Sequence, residues 1–170
     1  RGALRSRTRP LLLALAALTL ATAPAAAQNS PDQNRVSPAA IEKAVIKAMN
    51  AERVQRKRPA LRGAAALTRA ARRHSAYMAR TGAFQHESEN GAPFWTRLIG
   101  EGFSRNRRMA ENIAMVPGCD AGTAAWVVQL WMESPGHRKN LLDGQLRVTG
   151  VGVAVVGDCD QVLVTADYGG

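Results

Sequence analysis

The chain has 170 residues, 23 Lys+Arg against 13 Asp+Glu, a formal charge of +10, and 46% hydrophobic but only 5% aromatic residues. That length suits one domain with a real core, and that apolar content excludes a disordered chain. Two cysteines exclude a disulfide-dense mini-scaffold and a four-cysteine zinc site.

Residues 1–27 read as a secretory signal peptide. Arg1, Arg5, Arg7 and Arg9 come first without an acid, an apolar stretch runs from Leu11 to Ala23, and Pro24 precedes Ala25-Ala26-Ala27. The small residues place cleavage after Ala27. A membrane anchor is the competing reading, but thirteen apolar residues make a helix of only about 20 Å. With the signal removed, 143 residues remain and the formal charge falls to +6. The expected location is secreted or periplasmic, where disulfides persist. Cys119 and Cys159 are the one pair available, and bridging them is worth roughly 4 kcal/mol in the chain-entropy model. The alternative is two free thiols.

Residues 28–36 are polar and read as a flexible lead-in to a domain over 37–170. Ser37-Pro38 is a strong helix start, and Ile41, Val45, Ile46 and Met49 continue it at helical spacing over 38–52. The stretch around Pro59 interrupts the pattern. A second helix is expected from Leu67 to Thr81, stopped by Gly82, with Leu67, Ala70, Ala71, His74, Tyr77 and Met78 on its apolar face. Residues 83–92 form a loop, and Pro93 opens a short helix through Ile99. Residues 103–108 are basic and irregular. Asp120 is a candidate cap for a helix over 122–133, with Ala125, Val128 or Val127, Trp131 and Met132 facing inward. Ser134-Pro135-Gly136 breaks it before a possible further turn at 137–142. Then the period changes. Residues 147–156 and 161–167 are β-rich and flank a turn at 157–160, an antiparallel hairpin to which 110–115 can add a strand.

Three histidines lie beyond the signal: His74, His86 and His137. His74, on an apolar helix face, reads as a satisfied core or boundary residue. Glu111 sits in the otherwise apolar Ala110-Glu111-Asn112-Ile113-Ala114 and needs a partner, because a lone buried carboxylate is costly. A histidine is an obvious one. Ser134 stands three residues before His137, without an evident buried Asp to complete a triad. No metalloprotease helix motif, nucleophile elbow or phosphate loop is present.

The ordered segments carry a resemblance. Leu67-x-x-Ala-Ala-x-x-His-x-x-Tyr-Met-Ala79, Gly82-Ala-Phe-Gln-His86, Arg97…Gly102-Phe103, Ala110-Glu-Asn-Ile-Ala114, Trp131…Ser134-Pro-Gly-His-Arg-x-Asn140, Gly150-Val-Gly-Val153 and Asp167-Tyr168-Gly169 follow one another as in the CAP superfamily. This superfamily, also called the SCP domain, includes cysteine-rich secretory proteins, venom antigens and plant pathogenesis-related proteins. The chain resembles its short bacterial branch over Ile41–Gly169. The resemblance implies an α+β fold, a three-layer α-β-α sandwich around a small antiparallel sheet. It implies a cleft with His86 and His137 as two histidines and Glu111 as the first acid, able to hold Zn²⁺ or another divalent cation. The second acid of larger relatives falls at Ser134 here, leaving Glu133, one position earlier, or Glu89 as substitutes. Asn112, Trp131 and Asn140 are expected in structural roles.

Two functions follow as expectations. The first is a non-enzymatic ligand-binding domain outside the cell or in its envelope. The second is a metal-dependent, protease-like hydrolase using His86, Glu111 and His137. The basic cluster Arg53, Arg56, Lys57, Arg58, Arg62, Arg105, Arg107 and Arg108 suits a lipid headgroup or an anionic envelope component, or is simply a solvated surface. The reduced charge no longer points to nucleic acid. No membrane-spanning segment is expected after the signal, and the protein is expected to be a monomer. Trp131 reads as core, and Trp126 as a candidate groove residue.

Overall fold

The structure is a computed structural model and describes residues 35–170; the expected signal peptide, and residues 28–34 of the lead-in, lie outside the described residues. Among these, no helix is long and apolar enough to cross a membrane. The element order is α1 (Pro38–Gln55), β1 (Arg62–Gly63), α2 (Ala65–Thr81), α3 (Phe94–Gly100), β2 (Met109–Val116), α4 (Thr123–Glu133), α5 (Pro135–Leu142), β3 (Val148–Val156) and β4 (Gln161–Gly169).

The strands form one sheet in the order β1-β3-β4-β2. β2, β3 and β4 are antiparallel neighbours, as expected, while the two-residue β1 adds a parallel edge beside β3 that the sequence pattern did not announce. A two-residue strand carries no periodicity to read.

The alternation of β3 explains the three layers. Gly150 and Gly152 lie beneath α2, where any Cβ would overlap the backbone of Leu67–Thr68 and Ala71–Arg72. Only glycine lets the helix sit that close to the sheet. Ile113 and Leu163, on the same face, pack with Met78 of α2. The opposite face turns Val151, Val153, Val164, Ala166 and Tyr168 toward Ile41, Val45 and Met49 of α1, and Val127 and Trp131 of α4, forming the larger core. The fold is the expected α-β-α sandwich.

Several local expectations shift. The Ser37 side chain caps α1, which runs three residues past the expected end. Asp120 does not cap α4. Its carboxylate accepts from Gly122 N, while Thr123 Oγ1 accepts from Asp120 N. The inward face of α4 begins at Thr123 and Ala124, and Ala125 is exposed. Ser134-Pro135 separates α4 from a full second helix, α5, because proline at its first position starts a helix as readily as it ends one. Of the lead-in, Val36 is not free: its N–H donates to Cys119 O at 2.8 Å, and Arg35 pairs with Asp158 at 2.6 Å. Cys119 and Cys159 are disulfide-bonded, with Cα atoms 5.5 Å apart.

Arg53 departs most from expectation. It is 0% exposed and belongs to no surface cluster. Its guanidinium donates to the carbonyls of Pro59, Leu141, Asp143 and Leu146. Four acceptors, from the loop after α1, the end of α5 and the loop that follows it, offset the cost of burying the charge.

Candidate functional site

The site forms around β2, at the open edge of the sheet. Edge carbonyls invite pairing with another chain unless they are covered. Here Asn140 Nδ2 donates to Glu111 O at 3.1 Å, and Trp131 Nε1 donates to Ile113 O at 3.0 Å. Asn112 donates to His137 O at 3.0 Å and to the Tyr168 hydroxyl at 3.2 Å, and accepts from Asn140 at 3.0 Å. Asn112, Trp131 and Asn140 thus fasten α4 and α5 to β2, and this fixes where His137 stands.

His86 arrives from the loop between α2 and α3. The loop starts at Gly82, whose φ of +73° lets the chain turn away from α2. His74, buried on α2, tethers it through Nε2 to Gln85 O at 2.8 Å. Arg97 of α3 holds it from the other side, donating to His86 O at 2.8 Å and to Ser88 Oγ at 3.2 Å. So placed, His86 Nδ1 meets Glu111 Oε1 at 2.7 Å. The second Glu111 oxygen accepts from the Arg97 guanidinium. The Glu111 side chain is 1% exposed, and both its oxygens are engaged.

Burial sets the protonation of the group. Loss of hydration lowers the pKa of His86, and the Arg97 charge adds to the effect. His137 is lowered by burial and then by His86. His74 is pushed down to about 4, chiefly by burial and then by Arg97. All three are neutral at pH 7. A neutral His86 donates its Nδ1–H to the carboxylate and keeps the Nε2 lone pair.

Two members of the site were not picked out in the sequence. Arg97 was read only as part of a connecting segment, and Asp167 only as the end of a hairpin. Asp167 faces Glu111 across the β2–β4 pairing and is 0% exposed. Neither of its side-chain oxygens, nor Arg97 Nε, has a hydrogen-bond partner among the described residues. Burial pushes Asp167 up to about 8, against the pull of Arg97 and His86, so at pH 7 it is a neutral acid. The signals were present: one arginine in the apolar run Phe94–Ile99, and one acid in a strand otherwise rich in Val, Leu and Ala.

Other candidates stay apart. Glu133 is exposed and accepts from Gln129 Nε2 at 2.8 Å on the outer surface of α4. Glu89 pairs with Arg80 at 3.0 Å. Trp131 is core, and Trp126 is 44% exposed. Among the described residues, no three His, Cys, Asp or Glu side chains are arranged to hold a metal ion. The donor chemistry agrees, since a guanidinium and an imidazole already take both oxygens of Glu111. As held here, Glu111 presents no free oxygen to a cation.

Beside this cluster, with Arg97 in its wall, opens a cavity of about 830 Å³ whose lining includes Arg73, Tyr77, Ser88, Asn90 and Thr96.

A family model described as CAP, the cysteine-rich secretory protein family, matches residues 46–168. The chain belongs to the CAP family. The Bacillus subtilis protein YkwD is 35% identical over 137 residues, covering 79% of this chain and 51% of YkwD. A solved extracellular protein containing an SCP domain from Bacillus anthracis is 27% identical, with a TM-score of 0.65 over 84% of this chain and 44% of that one. An outer surface protein of Borrelia burgdorferi shares the fold, with 15% identity and a TM-score of 0.68 over 79% of this chain and 96% of that one. The chain therefore spans about half the length of both Bacillus relatives.

Proposed function

We propose that this CAP domain is an exported, non-catalytic binding module whose cavity takes a small, polar, anionic ligand from outside the cell or from its envelope. The carrying observation is the cavity wall: Arg73 and Arg97 supply guanidinium groups, each also held by an acid outside the wall (Glu101 and Glu111), Ser88, Asn90 and Thr96 supply hydrogen-bonding groups, Tyr77 supplies an aromatic face, and the acid in the lining, Glu89, is paired with Arg80. Guanidinium with hydroxyl and amide neighbours suits an acidic sugar better than an acyl chain. Export is supported by the disulfide and by relatives described as extracellular or outer surface proteins.

The test is thermal-shift titration of tag-free protein with glucuronate, glucose 6-phosphate and, as neutral control, glucose. The two anions should raise the melting temperature with concentration, glucose should not, and Arg73→Ala should shrink the shift. Equal responses to all three, or none, would sink the reading.

The 2.7 Å contact between His86 and Glu111 favours a second reading, a hydrolase in which the acid orients a histidine base. In its metal-dependent form this enzyme would use His86, Glu111 and His137. It predicts casein hydrolysis that is lost in His86→Ala and on adding a chelator. The engaged oxygens of Glu111 weigh against zinc or another divalent ion as a cofactor.

A further inference from the structure

The arginines of this domain divide into two populations. On α2, Arg69 and Arg73 pair with Glu101, Arg72 with Glu42 and Arg80 with Glu89. At the end of the sheet where β3 begins and β4 finishes, arginines gather with almost no acid. Arg62 donates its backbone N–H to Arg147 O, and Arg147 donates its own to Gly169 O. The Arg58 guanidinium lies against Gly144, where an added Cβ would stand 3.3 Å from its Nη1. The Arg147 side chain reaches back to Gly144 O. Gly170 N donates to Arg108 O, which brings in the loop carrying Arg105 and Arg107. The single acid in this group, Asp143, is paired with Arg108 at 2.9 Å. Among the described residues, the exposed side chains of Arg58, Arg62, Arg105 and Arg107 have no ion-pair partner. Beneath them Arg53 adds a buried charge, whose pKa is lowered by burial, with Arg147 and Arg58 adding to the effect.

Like charges held this closely repel, whereas the arginines of α2 are each paired with an acid. The cluster is also almost wholly arginine. A planar fork binds oxyanions with two parallel hydrogen bonds, where a lysine offers only a point charge. Large apolar side chains are not interleaved among these arginines, as insertion into a lipid surface would require. The exposed ones are Val54, Phe84, Trp95, Met115, Trp126 and Leu130, and of these only Val54 precedes the cluster in α1.

We propose that the surface formed by Arg58, Arg62, Arg105, Arg107, Arg108 and Arg147 docks the domain on a linear polymer carrying repeated phosphate groups. None of these residues lines the cavity, so this docking does not depend on the cavity's ligand.

The probe is long-chain inorganic polyphosphate, fluorescently labelled and titrated with the tag-free protein at increasing salt. The wild type should bind, with affinity falling steeply as salt rises. Arg62→Gln and Arg105→Gln should each flatten the salt dependence by about one unit of log–log slope. Arg69→Gln, which loses only an already paired arginine, should bind like the wild type. Circular dichroism checks that each variant is folded. The proposal is overturned if affinity survives high salt, if the Arg69 control weakens binding as much as the cluster variants, or if vesicles of phosphatidylglycerol bind more tightly than polyphosphate. The last result would make the partner a membrane.

Discussion

At the scale of single residues, charge states carry most of the meaning. Asp167, held at about 8, keeps its proton in the folded protein through a range in which the unfolded chain has lost it. Ionisation therefore favours unfolding, and this contribution to stability falls as pH rises toward 8. His74, pushed down to about 4, acts in the opposite sense: the unfolded chain takes up a proton more readily, so stability rises as pH climbs from 4 toward the ordinary histidine range. His86 and His137, also lowered, add to that rise. The two effects oppose each other until the histidines of the unfolded chain have lost their protons, about one unit above their ordinary pKa of about 6.5, and beyond that Asp167 is the group still titrating. Urea unfolding between about pH 7.5 and 8.5 should show wild-type stability falling with pH, and Asp167→Asn should flatten that slope. A slope of equal size in the variant would show that Asp167 does not hold its proton. Arg53 illustrates why such residues escape a sequence reading. Its neighbours Arg56, Lys57 and Arg58 are surface charges, and the one local sign that separates it is that Arg53 continues the four-residue spacing of Ile41, Val45 and Met49 on the buried face of α1. The four carbonyls that receive it belong to segments as much as 93 residues away.

At the scale of elements, the periodic segments were legible and the connections were not. The apolar spacing of α1 and α2 and the β-rich runs of β3 and β4 depend on one buried face each, which the chain writes locally. β1 exists only because Arg62–Gly63 lies beside β3, and that pairing is set by tertiary packing. Of the cleft, the His86–Glu111 contact was legible as a buried acid needing a partner. Arg97 and Asp167 were not, because their meaning arises from α3 and β4 converging on β2. The α2–β3 interface gives the clearest element-scale prediction. Gly150→Ala pushes a Cβ into the backbone of α2, where no side chain can rotate away. It should destabilise the domain by about 3 kcal/mol, at the upper end for overpacking, read from the urea midpoint. A loss under about 0.5 kcal/mol would mean that α2 can lift away from the sheet without cost.

At the scale of the whole molecule, one covalent tie joins the loop before α4 to the β3–β4 turn, across 40 residues of sequence. Cys119→Ala with Cys159→Ala should lower stability by about 2–4 kcal/mol, and adding a reductant should do the same to the wild type but nothing to the double variant. Val36 hydrogen-bonds to Cys119, and Arg35 pairs with Asp158 in the turn, so the first described residues are fastened at this same end.

That arrangement gives the domain a head and a tail. β3 and β4 are nine residues each, so the disulfide-bonded turn and the arginine-rich end stand about 30 Å apart. A label or surface linkage placed at Val36 would sit near the turn, away from the arginine-rich end. Immobilised that way, the protein should still meet a polymer in solution, whereas a linkage at Arg107 would cover the face being measured.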